Sequence, residues 1–168
     1  LAGGLGTRLY PLTYATNKHL LPVYDKPMIY YPIKTLTDAG ITEILIVTGG
    51  PYAGHFLRVL KNGKELGIKH LEYAYQETEG GIADALKLAE DFADNGSICV
   101  VLGDNCTDAQ IKHTVDSFTE GALVHLKKVP DPKRFGVPEF DKKGNIINMV
   151  GSKLGNQMNN MVEKVAGA

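Results

Sequence analysis

Leu1-Ala2-Gly3-Gly4-Leu5-Gly6-Thr7-Arg8 carries more information about architecture than any other part of this chain. Leu1-Ala2 has the composition of the end of a buried strand, and it runs directly into three glycines and an arginine. Such a junction is built to bring bare backbone against a polyanion, a nucleotide triphosphate above all. Without a Cβ, glycine takes positive φ and lets amide N–H groups approach phosphate oxygens closely. Arginine adds a planar, permanently charged fork. The competing reading, a tight strand-to-helix turn with no ligand, has to be weighed against the residues further along the chain.

Outward from the loop, Pro27 to Asp38 places apolar residues at 29, 33 and 36, a helical spacing with Gly40 as its stop. Glu43 to Thr48 is a short, mostly apolar run halted by Gly49-Gly50, as a buried strand would be. A second helix is predicted over 55–61, ended by Asn62-Gly63, and a strand over 69–75. A helix over 82–92 precedes Ser97 to Leu102, the most strand-like run in the chain, which stops at Gly103-Asp104-Asn105. A helix over 108–118, a strand over 122–127 and a hairpin of 137–141 with 146–150 around Lys142-Lys143-Gly144-Asn145 complete the pattern. Alternating strands and helices predict an α/β fold: a Rossmann-like, three-layer α/β/α domain with a mainly parallel sheet covered on both faces. Ligands of such sheets sit at the carboxyl ends of the strands. The expected organisation is one domain over 1–150 and an irregular tail over 151–168, in which Asn148-Met149-Val150 recurs as Asn160-Met161-Val162.

A length of 168 residues suits one core of ordinary size. With 18 basic and 19 acidic residues, the charge excludes wholesale electrostatic binding to nucleic acid or an acidic membrane, so any anion site must be local. Cys99 and Cys106 are too few for a disulfide frame or zinc knuckle, which makes the reduced cytoplasm the simpler home. Neither a membrane span nor a signal peptide is indicated. The sequence starts within an apolar strand signal and without a methionine, which predicts further first-strand residues before Leu1.

Two commoner phosphate loops can be tested. A P-loop needs lysine and a hydroxyl residue after its last glycine, whereas Gly6 is followed by Thr7-Arg8. The dinucleotide fingerprint needs a further glycine where Leu9 stands, and Pro11 interrupts the helix that should come next. Asp25 does lie about twenty residues on, so a nicotinamide-dependent dehydrogenase stays as the weaker rival.

Together with Leu9-Tyr10-Pro11-Leu12-Thr13, and with the run Lys18-His19-Leu20-Leu21-Pro22-Val23-Tyr24-Asp25-Lys26-Pro27-Met28-Ile29-Tyr30-Tyr31-Pro32, the loop resembles the sugar-1-phosphate nucleotidyltransferases, especially the thymidylyl- and uridylyl-transferring members. The resemblance extends from residue 1 to about 150. It implies that Gly3, Gly4, Gly6 and Thr7 wrap the nucleotide phosphates, that Arg8 contacts the leaving pyrophosphate, and that Lys18 binds the reacting phosphates. It further implies that Gln76 and Gly81 read the nucleobase. His19 stands where family members often carry glutamine. On the sugar side, Arg134-Phe135-Gly136-Val137 resembles the segment whose glycine backbone, here Gly136, touches the hexose. The family's Glu-Lys-Pro should come after Val150; Gly151-Ser152-Lys153 stands there, and Glu163-Lys164 are the equivalents if the twelve-residue echo is an insertion.

The chemistry makes matching demands. Attack of a sugar phosphate on an α-phosphorus brings two anions together, so the site must supply positive charge, in-line alignment and a metal. A strong base is not needed, because a phosphate monoester is already largely ionised at neutral pH. Asp104, coming after a strand through Gly103, puts a hard carboxylate where Mg²⁺ shared with substrate phosphates would be held, against the plainer role of a turn residue or helix N-cap. The resemblance favours the metal role for Leu102-Gly103-Asp104-Asn105 and implies a second metal-ligating aspartate beyond residue 168. The five histidines form no ligand cluster, and His125 reads as a packed or edge residue. The expected partners are therefore a nucleoside triphosphate, dTTP or UTP, and glucose 1-phosphate, with Mg²⁺ as cofactor and a homo-oligomer as the family's habit. A non-catalytic, nucleotide-binding regulatory module of the same fold is the alternative from another class.

Overall fold

The computed structural model describes residues 1–78, 80–131 and 136–150. Its elements in chain order are β1 (Pro22–Val23), β2 (Lys26–Pro27), α1 (Tyr30–Asp38), β3 (Glu43–Gly49), α2 (Gly54–Leu60), β4 (His70–Gln76), α3 (Gly81–Lys87), α4 (Glu90–Ala93), α5 (Lys112–Ser117), β5 (Val137–Phe140) and β6 (Ile146–Val150). The described residues divide into two compact units, 1–78 with 87–118, and 80–86 with 119–131 and 136–150.

The first unit is built on parallel pairing. β3 and β4 run parallel in unbroken register from Glu43 opposite His70 to Gly49 opposite Gln76. On the other side of β3, Ala2 bridges Thr48 in parallel, with Ala2 N donating to the Val47 carbonyl at 2.7 Å. Leu1 N donates to the Val101 carbonyl at 2.7 Å, and Gly103 N donates to the Leu1 carbonyl at 2.8 Å, the alternation of a parallel pair. The lateral order is therefore β4, β3, residues 1–2, residues 101–103. In chain order this is 3-2-1-4, so the order reverses between Leu1-Ala2 and Val101–Gly103. That reversal is the switch point at which open α/β sheets bind their ligands.

Local sequence explains the elements. Ile29, Pro32, Ile33 and Leu36 fall on one helical face and are all buried, so α1 lays an apolar stripe on the sheet. It ends where Gly40 takes φ +90°, with Gly40 N bonded to the Thr37 carbonyl and Ile41 N to that of Leu36, a Schellman closure. β3 is buried at Ile44 and continuously from Ile46 to Thr48, as a strand covered on both faces must be. These elements enclose one core of Ala2, Ile29, Ile33, Leu36, Ile44, Ile46, Phe56, Leu60 and Ile68. Phe56 is fully buried, a contribution of about 2–3 kcal/mol from its own surface.

Two expected strands are corrected. Of the run 97–102, only its end pairs, against Leu1; Ile98, Cys99 and Val100 are exposed and lie in no ladder. The segment 122–127 is not a strand either, and Leu123 and Leu126 face solvent. The cause is common to both: a β-prone run becomes a strand only where a partner satisfies its N–H and C=O groups. The helix expected over 82–92 is broken into α3 and α4, and that over 108–118 is confined to α5. In the second unit, β5 and β6 form the expected antiparallel hairpin, closed by Asp141, whose carboxylate accepts from Lys143 N and Asn145 N, both at 2.8 Å.

Candidate active site

The glycine loop leaves the end of the first strand through Gly3 and reaches a single 3₁₀ turn, Thr7–Leu9, rather than an α-helix. This removes the helix that a dinucleotide turn requires. Gly6 sits at φ +68° and its carbonyl accepts a hydrogen bond from the buried Thr13 hydroxyl at 2.9 Å. A Cβ on Gly6 would stand 2.8 Å from Lys18 Cβ, and one on Gly4 would stand 3.6 Å from Lys18 Cε and 3.9 Å from Nζ. The Lys18 side chain thus runs along the loop, and the glycines make room for it as well as for any phosphate.

A second 3₁₀ turn, Lys18–Leu20, aims that lysine. Asn17 caps it: Oδ1 accepts from His19 N at 3.0 Å, and Nδ2 donates to the Ala2 carbonyl at 3.4 Å. The same carbonyl accepts from the Thr48 hydroxyl at 3.3 Å, so buried polar groups tie the lysine turn to the strand end. His19 lies beneath, only 3% exposed, with Nδ1 2.6 Å from Asn17 Oδ1. Asn17 Oδ1 can only accept, so Nδ1 carries the proton of a neutral ring. Burial, then the charge of Lys18, pushes the imidazole down to about 4 from its ordinary 6.5, against the opposing pull of Asp104.

Asp104 closes the site from the neighbouring strand. A Cβ on Gly103 would fall 2.8 Å from His19 Cδ2, 3.0 Å from Ile29 Cδ1 and 3.1 Å from the Leu1 carbonyl, so only glycine fits there. This close approach sets the next residue, Asp104, against Lys18, with Nζ and Oδ2 2.5 Å apart. Burial works to raise the Asp104 carboxyl, but the hydrogen bond and charge of Lys18, with a smaller effect of His19, outweigh it and hold it below its ordinary range. At neutral pH Asp104 is an anion. Gln76 ends β4 with Oε1 3.1 Å from where a Gly3 Cβ would be, which brings a side-chain amide to the start of the loop.

Gly3, Gly4, Gly6, Thr7, Lys18, Gln76 and Asp104 therefore gather at the carboxyl ends of adjacent strands. A profile of the nucleotidyl transferase family matches residues 1–151. The chain belongs to that family. A glucose-1-phosphate thymidylyltransferase of Neisseria gonorrhoeae is 46% identical over 153 residues, covering 89% of this chain and 53% of that protein. A crystal structure of a Bacillus anthracis protein designated a glucose-1-phosphate thymidylyltransferase, in complex with sucrose, superposes with a TM-score of 0.83 at 44% identity, covering 89% of this chain and 61% of that one. A UTP-bound UGPase from Acinetobacter baumannii, 20% identical, shares the fold with a TM-score of 0.72, covering 89% of this chain and 65% of that one. The chain spans about half the length of the curated relatives it matches.

Of the other nucleotidyltransferase residues expected from sequence, Arg8 lies in the first 3₁₀ turn, exposed and without an ion pair among the described residues. Gly81 opens α3 at φ +86° and Gly136 precedes β5, both in the second unit. Arg134, Phe135, Glu163 and Lys164 lie outside the described residues. As a test of Mg²⁺, no group of three or more His, Cys, Asp or Glu side chains is gathered as a metal cage among the described residues. A single ionised carboxylate at a strand end suits an ion that keeps several waters and takes its other oxygens from substrate phosphates. Asn17, Thr13 and Thr48 are positioning groups that sequence reasoning missed; the one legible signal was Asn17 as a turn cap just before Lys18.

A cavity of about 250 Å³ borders the loop at Leu5 and extends to Tyr14, Gly49 and Tyr52. It is smaller than a usual ligand pocket. Its buried polar groups, Thr13 and Asn17, are already committed to the Gly6 and Ala2 carbonyls.

Proposed function

We propose that the chain joins a nucleoside triphosphate, dTTP in preference to UTP, to glucose 1-phosphate, giving the nucleotide sugar and pyrophosphate. The observation that carries this reading is the 2.5 Å pair of Lys18 and Asp104 beside a glycine loop at the switch point of the sheet. An ammonium there offsets charge on the reacting α-phosphate, and the exposed Arg8 is available to meet the triphosphate and the departing pyrophosphate. Gln76, placed against Gly3, offers both a donor and an acceptor to a pyrimidine edge; Gly81 is assigned to the nucleobase by resemblance alone. Gly136 and, by resemblance, Glu163 and Lys164 are assigned to the sugar phosphate. Asp104 would hold Mg²⁺, which when bound supplies further positive charge to the phosphates. The attacking phosphate oxygen needs no base from the protein, in keeping with His19 being buried, neutral and turned to Asn17.

The test is pyrophosphate release from dTTP, UTP, ATP and CTP, each with glucose 1-phosphate and Mg²⁺. Release that is greatest with dTTP is expected. Binding of dTTP without release would replace this reading by that of a nucleotide-binding module, and absence of both would overturn each.

A further inference from the structure

The Lys18 ammonium has two possible anions within reach of one side chain. Its stem runs close along the loop, since a Cβ built on Gly6 would stand 2.8 and 3.4 Å from Lys18 Cβ and Cγ, where the backbone is already at φ +68°. Its head reaches both sides: a Cβ built on Gly4 would stand 3.6 and 3.9 Å from Lys18 Cε and Nζ, while Nζ rests 2.5 Å from Asp104 Oδ2. Rotation of the terminal torsions can therefore carry the charge from the carboxylate to the loop with the backbone unmoved. We propose that Lys18 is a built-in counter-cation of Asp104, which competes with divalent metal for the carboxylate and yields it when a polyphosphate on the glycine loop takes over the ammonium.

The proposal rests on the reading of Asp104 as the metal-holding group. Its physical basis is that an ammonium and a divalent cation cannot share one carboxylate without strong repulsion at about 4 Å. The side chains of Lys18 and Asp104 are 24% and 37% exposed, so solvent weakens this competition without abolishing it. The consequence is that free cation is taken up poorly, and that metal and polyphosphate enter as one unit. An ion pair at a carboxylate that takes no metal makes a different forecast: removing the lysine charge would cost stability, and any change in cation affinity would survive Asp104→Asn.

The experiment titrates the full chain with Mn²⁺ in the absence of nucleotide, tracking the free ion by electron paramagnetic resonance. Lys18→Met and Lys18→Gln should each bind Mn²⁺ roughly three- to tenfold more tightly than wild type, the range an ion pair of this exposure would account for. Lys18→Arg should not, and Asp104→Asn added to either neutral variant should remove the gain. Two neutral variants keep the test open should one fail to fold, as judged by circular dichroism. Equal Mn²⁺ affinity in wild type and the folded neutral variant overturns the proposal, as does a gain that survives Asp104→Asn. A gain without pyrophosphate release would leave this mechanism standing and remove the proposed reaction; release without a gain would do the reverse.

Discussion

The glycines of the loop differ in what they make possible. Gly6 is required by conformation and by contact, since an alanine would have to hold φ +68° with its Cβ 2.8 Å from that of Lys18. Gly4 has neither constraint: its Cβ would meet only the flexible end of the lysine, at 3.6 and 3.9 Å. Gly6→Ala should therefore cost about 1–3 kcal/mol in urea unfolding, whereas Gly4→Ala should stay within about 0.5 kcal/mol. If Gly4 is where backbone meets phosphate, Gly4→Ala should still weaken dTTP binding by isothermal titration calorimetry. Undiminished dTTP affinity in a fully folded Gly4→Ala protein would mean that the loop serves Lys18 alone. The sequence made both glycines conspicuous but could not tell them apart, because φ and the path of a neighbouring side chain are properties of the assembled chain.

The element that matters most is a single turn of 3₁₀ helix, Lys18–Leu20. Three residues cannot hold themselves in place, and the Asn17 cap fixes both the turn and its link to the strand end. Asn17→Ala removes the acceptor for His19 N and one donor to the Ala2 carbonyl, and should destabilise the chain by about 1–3 kcal/mol. Asn17→Asp keeps the acceptor and should recover part of that loss; urea midpoints of the three proteins check the order. The first helix and the buried strand after it obeyed their periodicity, whereas the helices expected over 82–92 and 108–118 did not hold their length. α1 lies within the predicted segment, closed by the predicted glycine, because the apolar spacing of Ile29, Ile33 and Leu36 and the stop signal are local features. The segment 122–127 did not become a strand, because its pattern speaks only of propensity and no strand among the described residues pairs with it.

At the scale of the whole molecule, the buried His19 couples the fold to pH. Its imidazole titrates near 6.5 when unfolded and about 4 when folded, so the unfolded chain binds the extra proton first. Stability is thus fully present above pH 6.5, falls as pH drops toward 4, and changes no further from this residue below that. The loss across this window should be roughly 3 kcal/mol, and a His19→Gln protein should lack that part of the slope when urea unfolding is compared at pH 7, 5.5 and 4.5. An identical slope in both proteins would show that His19 is not the group responsible. The α/β class, the glycine loop, and Lys18 and Asp104 as candidate site residues were all legible in the sequence, because turn chemistry, strand composition and charge are written residue by residue. The 3-2-1-4 order, the seating of His19 under Gly103 and the meeting of Lys18 with Asp104 were not. The last of these joins residues 86 positions apart, and a contact of that span exists only once the strands have paired and the core beneath them has closed.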